Sequence, residues 1–329
     1  MKKSLLAMAL VSAFAAPAFA QNVEVYGVVD VGVQHTDNGV TSVTDMKSSG
    51  QSDSRIGFKG GENLGGGLKA EFLLEAGLDL TNGQNAQNGT LFGRQSWVGL
   101  TSDTMGSVRL GRQLSTVYTT AYSVDPTRVG LNGGFAQLLG GAQQLDRAVT
   151  YSSPSMGGFK AEAQYGFGGK DKESDARVLS LGGSYTAGPL MLTGVRAVQN
   201  ADSTVIGSVK ETTTLVGGTY DLQQVKLHAS WAESKPEGGD KTKSYMLGAS
   251  APMGAKGNVM ASWTNVKTDN VSNSKSDVYS VAYTYGLSKR TNVYASYAYT
   301  ANDSQADLGG AGALGKDVSK YAVGVRHSF

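Results

Sequence analysis

From position 23 onward, apolar and polar side chains alternate with a period of two, and helical stripes are rare. In "VEVYGVVDVGVQ" (23–34), Val25, Gly27, Val29, Val31 and Val33 share one face while Glu24, Tyr26, Asp30 and Gln34 share the other. "KAEFLLE" (69–75) sets Ala70, Phe72 and Leu74 against Lys69, Glu71 and Glu75, and "DVYSVAYTYG" (277–286) and "NVYASYAYT" (292–300) repeat the pattern with aromatics. Sixteen such segments predict strands, at roughly 23–36, 52–60, 67–80, 90–101, 107–113, 147–152, 158–169, 177–187, 190–200, 211–221, 224–234, 243–252, 257–268, 275–286, 291–301 and 318–329.

The connections alternate in length. Eight long polar ones, beginning with "TDNGVTSVTDMKSSGQ" and including the stretch from Leu114 to Asp146, are interleaved with seven shorter ones such as "GGENLGGG", "SDTMG", "AGP" and "GLSKR". Strands therefore run up and down, with both ends of the chain on the short-turn side. A soluble sandwich has no reason to keep its long loops at one end, whereas an outer-membrane barrel has short periplasmic turns and long external loops. In lipid every backbone N–H and C=O must be paired within the protein, and a closed barrel leaves no open edge. The expected fold is all-β: a transmembrane 16-stranded antiparallel β-barrel over residues 21–329, too wide for side chains to fill and hence water-filled.

Composition agrees. The chain has 45 Gly, 15 Tyr, only 6 Pro and no Cys in 329 residues, and no stretch after residue 20 approaches the length of a membrane helix. Residues 1–20 read as a cleaved signal peptide: Lys2 and Lys3, the apolar run "LLAMALVSAFAA", then "AFA" before Gln21. Without those two lysines, 27 basic residues balance 27 acidic ones, so nucleic acid is not an expected partner. The lack of Cys and the scatter of His35, His228 and His327 give no metal or cofactor site. "GGENLGGG" joins two strands with no helix behind it, so it reads as a turn rather than a phosphate loop.

"SRIGFKGGENLGGGLKAEFLLEAG" (54–77), "LFGRQSWVGLTSDTMGSVRLGRQ" (91–113), "GLSKRTNVYASYAYT" (286–300) and the terminal "YAVGVRHSF" resemble the trimeric general porins of Gram-negative outer membranes, above all their β-proteobacterial branch. The resemblance implies a homotrimer, a third external loop folded into the barrel as a constriction, and a column of wall arginines facing acidic residues. It places Arg55 and Arg94 on the arginine column, Glu75 beside it, and Arg147 as a third arginine on the strand leaving the loop. Arg112 matches too, outside the narrowest point; Lys59 and Arg128 are further candidates for the pore lining. The terminal Phe329 resembles the aromatic by which the barrel-assembly machinery recognises its substrates.

Independently of that resemblance, the stretch from Leu114 to Asp146 is too long for a hairpin, and Gly130, Gly133, Gly134, Gly140, Gly141, Leu131, Phe135, Leu138 and Leu139 suit it to packing inside a wall. Between Leu114 and Gln144 it has one acid, Asp125, and one base, Arg128. Asp125 reads either as a pore acid or as a turn cap ahead of Pro126. Tyr279, Tyr283, Tyr285, Tyr294, Tyr297, Tyr299 and Trp263 read as an aromatic girdle. No serine has the context of an activated nucleophile, so an enzyme is not expected. The expected function is passive, weakly anion-preferring diffusion of ions and small hydrophilic solutes through the outer membrane, in contact with lipid and lipopolysaccharide. A substrate-specific channel or a surface-binding adhesin is the alternative.

Overall fold

The computed structural model describes residues 23–87, 89–128, 130–135, 143–168, 177–201 and 209–329. The leader at 1–20 and Leu138, Leu139, Gly140 and Gly141 lie outside them. In chain order the strands are β1 (Glu24–Asp37), β2 (Ser42–Ser48), β3 (Arg55–Gly65), β4 (Leu68–Asp79), β5 (Gln84–Asn85), β6 (Gln95–Ser102), β7 (Gly106–Leu114), β8 (Gln144–Ser152), β9 (Phe159–Gly166), β10 (Val178–Ala187), β11 (Leu190–Ala201), β12 (Val209–Asp221), β13 (Lys226–Pro236), β14 (Thr242–Met253), β15 (Gly257–Thr268), β16 (Ser276–Gly286), β17 (Thr291–Asn302) and β18 (Val318–Ser328). One described helix, α1 (Thr116–Val124), lies between β7 and β8.

All pairings are antiparallel, and the sheet closes where β1 meets β18, from Val28↔Ser328 to Asp37↔Ser319. The other edge of β1 pairs with β3 over Glu24 to Val28 and with β2 over Val31 to Asp37. Thus β2 and β3 together make one barrel strand, broken by an excursion at 49–54. With β5 a short appendage of β4, sixteen strands form the wall. Leu181, Leu247, Val281 and Val323 project from its outside and are largely exposed, the surface a bilayer covers.

The interior is partly filled. Ala121 and Val124 of α1 and Phe135 pack against Val195, Leu215, Ala232 and Met246 of β11 to β14, all almost fully buried. Burying an apolar side chain of this size stabilises by roughly 1.5–3 kcal/mol, so α1 and Phe135 are glued to the inner wall rather than left in water. Ser115 caps the helix by accepting from the Tyr118 N–H at 3.2 Å. At the same end Gln164 of β9 accepts from the Thr116 N–H at 3.0 Å, and at the other end the Val124 carbonyl meets His228 Nδ1 at 2.9 Å.

Three expectations change. Within the first long connection, 36–51, residues 42–48 form the paired strand β2, with a turn at 38–41 before it and the excursion from 49 after it. "GGENLGGG" is largely the end of β3, with the turn confined to 66–67. Tyr294 is no girdle residue: it points inward and is 4% exposed, whereas Tyr279 and Tyr285 do stand on the outer face.

Candidate functional site

Pairing of neighbouring strands brings the central residues together. Glu75 on β4 lies opposite Gly57 on β3 and Gln95 on β6, so Arg55, Glu75 and Arg94 converge on one patch of inner wall. The Arg94 N–H also donates to the Glu75 carbonyl at 3.1 Å, fixing the entry into β6. Arg94 is 5% exposed: its Nε donates to Glu75 Oε1 at 2.8 Å and its Nη1 to Asp53. Glu75, 4% exposed, also accepts from the Tyr26 hydroxyl at 2.6 Å and lies 3.4 Å from Arg55 Nε. Tyr26 reaches it by lying across Gly57, where a Cβ would fall 2.5 Å from the ring. Arg55 Nη1 donates to the Asp53 carbonyl at 2.7 Å, and the rest of its side chain faces the lumen.

Across from this patch are Tyr118 and Tyr122 of α1, their ring centroids 6.4 Å apart. Burial first, and then the nearby Asp53 carboxylate, push the Tyr118 hydroxyl up to about 12. Between wall and helix is a cavity of about 260 Å³, lined by four arginines (Arg55, Arg94, Arg128, Arg326) and two carboxylates (Asp53, Glu75). A second cavity of about 680 Å³ shares Ser52, Tyr122, Arg128 and Arg326 with it, which puts those two arginines at the passage between them. The helix edge at Thr116, Thr119, Thr120 and Ser123 borders a third, hydroxyl-rich cavity of about 650 Å³ that reaches the short turns near Asp103 and Pro154.

Other candidates lie apart from this cluster. Arg147 is exposed on β8 at a positive φ of 48°, beside a register shift in the β7–β8 pairing, and does not line the 260 Å³ cavity. Arg112 pairs with Asp146 and donates to the Gly93 carbonyl. Lys59 pairs with Glu24 at 3.1 Å and sits over the Tyr26 ring. Asp125 is 3% exposed and accepts from the Thr127 N–H and hydroxyl and, at 2.6 Å, from the Phe135 N–H. Its carboxylate thus shapes the long loop, the turn-cap role. Sequence reasoning missed Asp53, Tyr26, Tyr118, Tyr122 and Arg326 as members. Nothing in a period-two pattern marks Asp53, which sits in the excursion between strands.

A closed barrel, apolar outside and lined inside by charge and polar cavities, defines a class: the outer-membrane channels. Residues 6–305 match the family described as Gram-negative porin. An outer-membrane porin of Bordetella pertussis is 33% identical, and outer membrane porin protein 32 of Delftia acidovorans 34%, each over 100% of both chains. An anion-selective porin from Comamonas acidovorans superposes with a TM-score of 0.84 at 30% identity, over 94% of this chain and 100% of that one. The chain belongs to the Gram-negative porin family and is a diffusion channel of the outer membrane.

Proposed function

We propose that the cluster around Arg55, Glu75 and Arg94, with α1 packed across from it, is the constriction of a channel that weakly prefers anions. The observation that carries this reading is the charge balance of the 260 Å³ cavity, four arginines against two carboxylates. Arg94 is taken up by Glu75 and Asp53, so Arg55, Arg128 and Arg326 are the cations a permeating ion meets. A ring of charge at a narrow point selects by its sign, and salt screens it over about 8 Å at physiological strength, so the preference is modest. The similarity to the anion-selective porin from Comamonas acidovorans supports the same sign.

Residues 1–20 direct export and are removed, three copies assemble, lipopolysaccharide and lipid surround the trimer, and Phe329 addresses the chain to the assembly machinery. The test is the reversal potential across a planar bilayer under a KCl gradient. Replacing Arg128 and Arg326 together by Ala shifts it toward cations, lowering the anion-to-cation permeability ratio by about two- to fourfold; an unchanged potential rejects the reading. Neutral sugar flux rises linearly with concentration, whereas saturation would point to a substrate-specific channel.

A further inference from the structure

The excursion at 49–54 supplies Asp53, the acid that closes the pair on Arg94, and it is held by a residue that does not line the 260 Å³ cavity. Asp30 of β1 is 0% exposed. Its Oδ2 accepts from the Gln51 N–H at 2.8 Å and the Ser52 N–H at 2.6 Å, and its Oδ1 from the Tyr294 hydroxyl at 2.8 Å. The Asp30 backbone takes part too: its N–H donates to Ser54 Oγ at 3.0 Å, the Ser54 hydroxyl donates back to its carbonyl at 3.0 Å, and that carbonyl also accepts from the Ser49 N–H at 2.8 Å. Both ends and the middle of the excursion are therefore tied to one residue.

Tyr294 comes from β17 and must cross β18 to reach β1. It does so over Gly324, where a Cβ would fall 2.3 Å from the tyrosine oxygen. Once fixed, the excursion holds two further parts of the pore. The Gly50 carbonyl accepts from the Leu131 N–H of the long loop at 2.8 Å, and Ser52 Oγ accepts from Arg326 Nε at 2.9 Å. Asp53 follows directly on that anchored backbone.

We propose that Asp30 is a positioning residue for ion selectivity: by anchoring the backbone at 51–54 it sets the Asp53 carboxylate against Arg94, and so the charge that a permeating ion meets. This rests on the reading of the cluster as the constriction. A buried carboxylate satisfied by backbone donors rigidifies what it binds, and losing one of those acceptors leaves buried donors unmet. Without the anchor the excursion loosens, Asp53 leaves Arg94, and the lining becomes more positive.

The experiment is a double-mutant cycle read as reversal potential in bilayers, with heat-resistant mobility on gels to confirm folded barrels. Asp53→Asn removes the pore carboxylate and raises the anion-to-cation permeability ratio by about twofold. Asp30→Asn raises it in the same direction, and Asp30→Asn with Asp53→Asn gives no more than Asp53→Asn alone, because both act through one carboxylate. Additive shifts would mean that Asp30 acts by its own charge and would overturn the proposal, as would no shift on Asp30→Asn. Should Asp30→Asn not fold, Tyr294→Phe and Ser54→Ala loosen the same excursion while keeping every formal charge. Each raises the ratio, and an unchanged ratio in both sinks the idea. A wild-type channel with no charge preference, by contrast, would fail the constriction reading itself.

Discussion

Arg55 and Arg94 carry the same charge in the same patch of wall and do different work. Arg94 is enclosed by two carboxylates, so its charge is spent inside the protein, while Arg55 keeps part of its guanidinium toward the lumen. Glu75 is the partner they share. Glu75→Gln leaves Arg94 buried with Asp53 alone, which costs about 1–3 kcal/mol of stability; the urea midpoint falls, and the same variant shifts the reversal potential toward anions. Tyr118 adds a pH dependence at this scale. Its hydroxyl is raised from 10.0 to about 12, so the neutral phenol is favoured in the folded protein. The sign follows: this contribution to stability is complete below pH 10 and is lost as pH rises through about 12. Ultraviolet titration of phenolate should show late-ionising tyrosines, one fewer of them in Tyr118→Phe.

Among the elements, α1 and the turn behind it depend on a small apolar seam. Phe135→Ala removes its largest buried side chain and leaves a cavity beside Val124 and Leu215, a change worth about 3–5 kcal/mol in a well-packed core. The barrel has its own hydrogen-bond ladders and survives; the expected result is a noisier single-channel current of higher mean conductance, read in bilayers. The fifteen strands that cross lipid as single elements were legible because each has one greasy face, whereas Arg55, Glu75 and Arg94 were picked out by the resemblance of their segments to porins. The first half of the remaining composite strand, β2, was not. In "SVTDMKS" nearly every side chain is exposed on either face, so the strand has no apolar periodicity to read. Helix α1, at nine residues, is likewise too short to show a helical stripe against its threonines and tyrosines. Asp125 was legible as a residue with two readings: its carboxylate holds the backbone at Thr127 and Phe135, and the residue also borders the 680 Å³ cavity.

At the scale of the molecule, closure depends on the last strand. The Gly27 N–H donates to the Phe329 carbonyl and the Phe329 N–H to the Gly27 carbonyl, both at 3.1 Å, so the final residue is part of the ladder. A chain lacking Phe329 loses both bonds, and its conversion to the heat-resistant form, followed by gel mobility, should be slower than that of the full chain.

The seam also dictates an order of events. Val28 pairs with Ser328, a separation of 328 − 28 = 300 residues, so one edge of β1 has no partner until nearly the whole chain exists. Contacts this distant in sequence form slowly, and an unpaired edge invites pairing with other chains. The closed sheet cannot form before β18 exists, and until then one edge of β1 stays open to pairing with other chains.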